Sequence, residues 1–194
     1  FEKLVEATKS GVLDADIVAV VSNHERGGVR ERADRLGIPF IFFASDSDYQ
    51  KIVEGVGAEW VALSGWFKLV HGLDPAKTFT IHPALLSQLG GRFGGKGMYG
   101  HRIHEAVKAA FDAGEITESG FTMHFVTDEM DRGPVFFEHR VPLEKGMTAD
   151  DIARVVNDAE HEWQPKITNL VVHGEIRWDG KDPRSLVVPE NFGK

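Results

Sequence analysis

The sequence predicts an α/β fold: an open, mostly parallel sheet with helices on both faces and an antiparallel pair of strands at its C-terminal edge. Three observations support this prediction. Predicted strands and helices alternate with short connections from residue 17 to residue 66, which is typical of βαβ units. Residues 17–22 form an unbroken, mostly β-branched apolar run, as in strands buried on both faces. Residues 120–127 and 134–143 alternate apolar and polar side chains, which indicates an antiparallel edge pair.

Apolar periodicity and capping residues place the individual elements. We expect helices over residues 1–10, 29–36, 47–56, 101–113 and 148–173, and strands over residues 17–22, 39–43, 60–66, 78–82, 120–127, 134–143 and 176–178. Ser45 or Ser47 is expected to cap the third helix, and Thr148 the last one. Pro165 should interrupt or kink that last helix. The tail from Asp179 is polar and expected to be loosely held.

Composition excludes several classes of function. The 194 residues carry a net charge of −8 without a block of like charges, so a nucleic-acid footprint is absent. There is no cysteine, which excludes disulfides, zinc–thiolate sites and thiol catalysis. No apolar run approaches the ~18 residues of a membrane span, and no signal peptide is visible. We therefore expect one domain over residues 1–194, located in the cytoplasm.

A histidine stands at the predicted end of a buried strand, where ligands bind in open α/β sheets. This residue is His82, and a glycine-rich loop over residues 90–97 follows it. Near neutral pH such a histidine can hold or pass a proton, and a carboxylate beside it would stabilise its charged form. Asp128 and Asp131 follow another strand and are candidates for that carboxylate. Alternatively, His82 hydrogen-bonds a loop carbonyl and the acids form a solvated turn.

Three further segments have both functional and structural interpretations. His101 and His104 lie three residues apart on a predicted helix and can present metal ligands, or His104 is an inward, hydrogen-bonded histidine. The glycine-rich loop, with Arg92 and Lys96, is a candidate phosphate cradle or a mobile lid. Residues 66–70 either line a slot for a flat aromatic ligand or belong to the core.

Several motifs together resemble the folate-dependent formyltransferases, specifically those that act on glycinamide ribonucleotide (GAR) in purine synthesis. The motifs recur in family order along nearly the whole chain: VVSN at 20–23, ALSGW at 62–66, IHPALL at 81–86, GGKGMYG at 94–100, HEAV at 104–107, HFVTDEMD at 124–131 and AEH at 159–161. The resemblance implies a Rossmann-like N-terminal half and a C-terminal part that completes a folate cleft.

The resemblance also implies the reaction and the roles of individual residues. A formyl group moves from 10-formyltetrahydrofolate, a co-substrate, to the GAR amine without a metal. His82 would stabilise the oxyanion and Asp131 would assist proton transfer. The residues expected to border the folate are Lys68, Leu69, Val70, Val126, Thr127 and Asp128. Those expected at the amine substrate are Pro83, Asn157 and Glu160.

The chain departs from the family pattern at three places. Thr80 stands where the family has a catalytic asparagine, and Ser87 replaces a proline. The family's first strand and phosphate loop are expected ahead of Phe1. Three alternatives follow: a formyltransferase for another amine, such as a nucleotide-linked amino sugar; a catalytically weak folate- or nucleotide-binding homologue; and, least favoured, a metal hydrolase built on His82, His101 and His104. A homodimer is also left open.

Overall fold

The computed structural model describes residues 1–190 and confirms the predicted α/β class. In chain order the elements are α1 (Glu2–Ser10), β1 (Val20–Ser22), α2 (Gly28–Leu36), β2 (Phe40–Phe42), α3 (Tyr49–Val56), β3 (Val61–Ser64), β4 (Thr78–His82), α4 (His101–Asp112), β5 (Glu118–Phe125), β6 (Val135–Pro142) and α5 (Ala149–Val172). Short 3-10 turns over Pro75–Lys77, Gln88–Gly90 and Pro183–Ser185 complete the described part of the chain.

The strands form two sheets among the described residues. β1 and β2 pair in parallel as a two-stranded sheet, and β3, β4, β5 and β6 form a four-stranded sheet in that order. Within the larger sheet β3 and β4 are parallel, whereas β4, β5 and β6 are antiparallel, so the predicted antiparallel edge is confirmed. The register places Thr80 opposite His124 and His82 opposite Thr122. Because side chains alternate along a strand, these four lie on one face of the sheet.

The core lies where α4 and α5 pack against the four-stranded sheet. Its buried side chains include Phe79, Phe93, Phe121, Phe125, Ile103, Val107, Ile152 and Val156. Phe125 contacts both Phe136 and Trp178 through ring–ring contacts. This large apolar cluster holds the C-terminal end of β4 rigidly in place beside α4 and α5.

Two features of the helices differ from the sequence predictions: the N-terminal cap of α3 and the course of α5 at Pro165. Asp48, not Ser45 or Ser47, caps α3, because its carboxylate accepts a hydrogen bond from the Lys51 N–H. Helix α5 continues through Pro165 without a break; the proline is buried, and packing against the sheet and α4 outweighs its missing N–H. The predicted cap at Thr148 is confirmed as a reciprocal capping box with Asp151.

β1 and β3 are less buried than the sequence predicts. Val18 is 40% exposed and Ala62 is exposed, although both segments were expected to be covered on both faces. In the described chain β1 and β3 are not paired with each other. An apolar slot of about 240 Å³ separates them, lined chiefly by residues 16–21 and 58–64. The predicted single sheet is therefore divided between β1 and β3.

The C-terminal segment is more ordered than predicted over the residues described. Instead of a strand over residues 176–178, Arg177 forms an isolated bridge with Val187. Asp182 caps the 3-10 turn Pro183–Ser185, and the Trp178 indole N–H donates to the Asp182 carbonyl. Residues 191–194, the end of the predicted loose tail, lie outside the described residues. Within residues 1–190, no helix combines the length and apolarity that crossing a bilayer requires.

Candidate active site

A cleft of about 750 Å³ opens at the C-terminal ends of β3 and β4 and extends between the start of α4 and the middle of α5. This is the edge of the sheet at which open α/β folds bind ligands. Most of the residues proposed from the sequence line it: Lys68, Leu69, Val70, Thr80, His82, Pro83, Val126, Thr127, Asp131, Asn157 and Glu160. The fold thus brings together side chains that are far apart in the chain.

His82 ends β4 and is buried at the floor of the cleft. Its Nε2 lies 2.7 Å from the Phe93 carbonyl oxygen, so this nitrogen carries the hydrogen and donates it. The other nitrogen, Nδ1, lies 3.7 Å from Asp131 Oδ2. Burial lowers the pKa of His82, although Asp131 and the Phe93 carbonyl act to raise it. His82 is therefore neutral at pH 7, with a proton-free nitrogen facing Asp131.

Asp131 follows β5 in a left-handed backbone conformation, with φ of 55°. Aspartate tolerates this region better than most residues, and such conformations occur at functional sites. Its Oδ2 accepts a hydrogen bond of 2.8 Å from the Gly95 N–H. Burial alone would raise the pKa of the Asp131 carboxyl, but contacts with His124, His82 and the Gly95 N–H hold it below its usual value. The side chain is thus a partly buried carboxylate.

A second buried histidine, His124 on β5, faces Asp131 from the other side. Its Nδ1 donates to the Phe125 carbonyl at 2.7 Å, and its Nε2 lies 3.6 Å from Asp131 Oδ1 without a hydrogen-bond partner. Asp131 therefore lies between one ring nitrogen of His82 and one of His124, at 3.7 and 3.6 Å. A proton on either of these nitrogens would face the carboxylate and be stabilised by it. The sequence analysis includes His124 as the first residue of the motif at 124–131 but assigns it no role; its pairing with Thr80 places it in the cleft.

Thr80 lines the cleft two residues before His82, but its hydroxyl is engaged elsewhere. The Thr80 Oγ1 donates to the Leu63 carbonyl on β3 at 3.2 Å. A hydroxyl has one hydrogen to donate. In this arrangement Thr80 has no hydrogen left for an oxyanion in the cleft.

The glycine-rich loop holds the two catalytic candidates in place. Phe93 is fully buried, its carbonyl accepts the His82 hydrogen, and Gly95 donates to Asp131. Arg92 points away and pairs with Glu115 at 2.8 Å. Neither Arg92 nor Lys96 lines the cleft. The loop is therefore a support for His82 and Asp131, and the two cations invoked for a phosphate cradle are directed elsewhere.

The segment from residue 66 to residue 70 lines the cleft, and so do Val126 and Thr127. Phe67 is exposed at the rim, and its ring lies 5.8 Å from that of Tyr99. Asp128 is the exception among the proposed folate contacts, because it is exposed and lines a separate shallow depression. The Thr127 hydroxyl bonds to Glu129 and forms a tight turn that directs Asp128 outward.

Asn157 and Glu160 stand on α5 at the other end of the cleft. Asn157 Nδ2 donates to Glu160 Oε2 at 3.5 Å. Burial raises the pKa of Glu160 to about 7, because the Asn157 amide compensates little of the lost hydration. This carboxyl is therefore close to half ionised at neutral pH and can respond to a charged or neutral amine.

The histidines of α4 do not form the metal site considered from the sequence. His101 is exposed and lies near Glu105 and Asp150. His104 is buried, and its Nδ1 has no hydrogen-bond partner, contrary to the prediction of a hydrogen-bonded histidine. Within residues 1–190 no group of three or more His, Asp or Glu side chains is arranged to hold a metal ion.

Comparison with known proteins adds a consistent set of similarities. The formyl transferase family matches residues 1–168. The chain is 30% identical over 192 residues to the chloroplastic phosphoribosylglycinamide formyltransferase of Arabidopsis thaliana, covering 92% of this chain and 63% of the plant protein. It is 29% identical over 192 residues to the phosphoribosylglycinamide formyltransferase of Escherichia coli (strain K12), covering 91% of this chain and 83% of that protein. This chain therefore spans less than two thirds of the plant relative's length.

A solved structure shows the same fold. The crystal structure of glycinamide ribonucleotide transformylase 1 from Symbiobacterium toebii matches with a TM-score of 0.79 at 24% sequence identity. The match covers 97% of this chain and 88% of that one. The architecture described above is therefore a known one.

Proposed function

This chain belongs to the formyl transferase family, and we propose that it transfers a formyl group from 10-formyltetrahydrofolate to the amine of GAR, a step of purine biosynthesis. The relatives named phosphoribosylglycinamide formyltransferase support this choice of acceptor. The observation that carries the proposal is the buried group of His82, Asp131 and His124 at the floor of the cleft. It is built to accept one proton, and amine formylation releases one.

The reaction balances as follows. The lone pair of the acceptor amine forms a bond to the formyl carbon, and the carbonyl electrons move to its oxygen. A proton leaves the amine nitrogen and is taken up by the pair formed by His82 Nδ1 and the Asp131 carboxylate, whose atoms lie 3.7 Å apart. When the carbonyl re-forms, the bond from the formyl carbon to the folate nitrogen breaks, and the proton passes to that nitrogen. The protein thus ends the cycle in its starting state.

The lining of the cleft suits the two substrates. The apolar wall of Leu69 and Val70, together with Val126 and Thr127, fits a flat pterin ring, and Lys68 stands at the same wall. At the other end Asn157 and Glu160, with Pro83 beside His82, are proposed to contact the acceptor amine. With a pKa of about 7, Glu160 can hold an ammonium group and release a neutral amine for attack.

One observation favours a second candidate function, a homologue that binds these ligands but turns over slowly. The Thr80 hydroxyl donates to the Leu63 carbonyl and not into the cleft. Loss of one oxyanion donor costs about 10²–10³ in rate in other enzymes. Slow turnover with normal binding is therefore the alternative outcome.

The test is formyl transfer from 10-formyltetrahydrofolate to GAR by the unaltered protein and by Thr80→Asn, with the exposed Thr117→Asn as a matched control. Turnover by all three supports the proposed function and shows that threonine is tolerated. Turnover by Thr80→Asn alone identifies a binding homologue. If neither the unaltered protein nor Thr80→Asn transfers a formyl group while both bind the substrates, GAR is the wrong acceptor and the proposal fails.

A further inference from the structure

His104 stands apart from the other two buried histidines of the cleft. His82 and His124 each donate to a backbone carbonyl, whereas the hydrogen bonds of residues 1–190 engage neither ring nitrogen of His104. His104 is only 8% exposed. It lies in the first turn of α4 and lines the cleft. A buried polar group without a partner is destabilising, so its presence requires an explanation.

The environment of His104 determines its charge and its tautomer. Burial lowers its pKa, and the neighbouring His101 and His82 lower it further, so the ring is neutral at pH 7. Nδ1 is enclosed within the protein and has no acceptor nearby. An unpaired N–H costs more there than an unpaired lone pair. We therefore place the hydrogen on Nε2, the ring nitrogen that is not among the fully buried atoms, in a side chain that lines the cleft.

The reaction leaves one requirement that Thr80, His82 and His124, the polar side chains at the floor of the cleft, do not meet. The formyl oxygen becomes negatively charged during attack, and an N–H or O–H must be directed at it. The Thr80 hydroxyl donates its hydrogen to the Leu63 carbonyl, and His82 Nε2 donates its hydrogen to the Phe93 carbonyl. His82 Nε2 therefore has no free hydrogen for the oxyanion role that the family resemblance implies for this histidine. The nitrogens of His82 and His124 that face Asp131 lie 3.7 and 3.6 Å from its carboxylate oxygens, so a hydrogen on either one is directed at Asp131. A neutral imidazole can supply such a hydrogen bond without first being protonated.

We propose that His104 is a further catalytic residue of this site, which donates its Nε2 hydrogen to the oxygen of the formyl carbon as that oxygen becomes negatively charged. This inference rests on the proposed formyl transfer and assigns a donor that replaces Thr80. No covalent bond to His104 is formed. The ring stays neutral, and the hydrogen remains on Nε2 throughout the reaction.

Two substitutions separate this role from packing. His104→Phe keeps a ring but removes both nitrogens, and His104→Gln keeps a neutral N–H at a similar distance from the backbone. Glu105→Gln, on the exposed side of the same helix and outside the cleft, is the matched control. We expect His104→Phe to lower kcat about 10²–10³-fold, with KM for both substrates within about threefold. His104→Gln should recover at least tenfold of that loss, and the control should match the unaltered protein.

Combination with Thr80→Asn sharpens the test. If His104 replaces the missing donor, Thr80→Asn should raise the kcat of His104→Phe by at least about tenfold. Thermal melting should be unchanged or higher for His104→Phe, because an unpaired polar group is removed. A kcat of His104→Phe within threefold of the unaltered protein overturns the inference. The inference is also overturned if the kcat lost in His104→Phe is restored neither by His104→Gln nor by Thr80→Asn, because that pattern indicates a packing role only.

A measurement that does not depend on turnover distinguishes this inference from the proposed function. The ¹⁵N resonance of His104 Nε2 should report a bound hydrogen in the free protein and should shift with 10-formylfolate but not with folate. If no formyl transfer is observed but this shift occurs, GAR transfer is wrong and the formyl contact stands. If transfer occurs and the resonance does not move, or the hydrogen is on Nδ1, the assignment of His104 is wrong.

Discussion

Asp131 combines three properties that a substitution can separate: its charge, its hydrogen bond to Gly95, and its left-handed backbone. Asp131→Asn removes the charge only, because asparagine also tolerates positive φ and its amide oxygen can accept the Gly95 hydrogen. We expect turnover to fall about 10²–10⁴-fold, the usual contribution of a general base, while tetrahydrofolate binding stays within a few fold. Steady-state kinetics and calorimetry measure the two quantities. Turnover within threefold of the unaltered protein would remove Asp131 from the mechanism.

Glu160 provides a prediction about stability. Its folded pKa of about 7 lies above the ordinary value of 4.5. The folded state therefore holds the proton more tightly than the unfolded state, and the stability that this contributes is present below about pH 4.5 and lost as the pH rises through 7. Glu160→Gln should stabilise the protein by about 1–3 kcal/mol at pH 8 and change little at pH 4. Denaturant unfolding at both pH values, with the exposed Glu162→Gln as control, measures this. Equal effects at both pH values would contradict it.

At the scale of single residues, the sequence predicts which residues lie in the candidate site better than it predicts their hydrogen-bond partners. Strand ends and motif spacing were enough to propose His82 and Asp131, which the fold brings together. They could not show that the Thr80 hydroxyl is bonded to Leu63, because that bond depends on how β3 and β4 pair. They placed His124 in the motif at 124–131 but could not assign it a role, since alternation along a strand leaves the face undetermined until the register is known. The functional roles of all these residues remain predictions.

The connection between β5 and β6 offers an element-scale prediction. A Cβ added to Gly133 would lie 1.8 Å from the Phe125 carbonyl oxygen, which also accepts the His124 hydrogen. The obstructing atoms belong to the backbone, so relief requires moving β5 itself. We expect Gly133→Ala to destabilise the protein by about 3 kcal/mol or more. The turn that carries Asp131 should be displaced as well.

A second glycine provides the control for that substitution. Gly55 lies inside α3, where an added Cβ meets nothing within 4 Å. Gly55→Ala should therefore stabilise the protein by about 0.5–1 kcal/mol through helix propensity. Chemical denaturation of both variants gives the comparison. A Gly133→Ala protein as stable as the unaltered one would show that the β5–β6 connection relaxes easily.

Helix boundaries show which element-scale features local sequence determines. The reciprocal bonds of Thr148 and Asp151 span three residues, and they were predictable because both partners are local. The continuity of α5 through Pro165 was not, because long-range packing of a buried proline decides it. The cap of α3 at Asp48 shows an intermediate case, in which neighbouring polar residues compete for the same position.

For the whole molecule, the sequence predicts the fold class and the antiparallel edge, whereas the division into two sheets depends on contacts between distant strands. An unbroken apolar run such as residues 17–22 is typical of a strand covered on both faces, yet such a run does not specify its neighbours. In residues 1–190 the slot between β1 and β3 leaves those side chains partly exposed. The extent of a single formyltransferase domain over residues 1–194 and a homodimer both remain predictions.

The cleft joins distant parts of the chain, so a ligand bound in it should stabilise the whole fold. β3, β4, α4 and α5 all contribute to its walls, and unfolding any of them would release the ligand. Tetrahydrofolate at about 100 times its Kd should add about 2.7 kcal/mol of stability, a rise in Tm of about 5–11 °C for a chain of this size. Differential scanning calorimetry with and without the ligand measures the rise.

Two variants show whether that rise comes from the proposed folate wall. Leu69 lines the cleft. Leu69→Asp would place a charge against the proposed pterin site, so the rise in Tm should largely disappear. Asp128 lies outside the cleft, so Asp128→Ala should keep the full rise, contrary to the folate contact expected from its position in the sequence. If tetrahydrofolate raises the Tm of Leu69→Asp but not that of Asp128→Ala, the folate binds at the shallow depression beside Arg132. The proposed placement of the folate against Leu69 is then wrong.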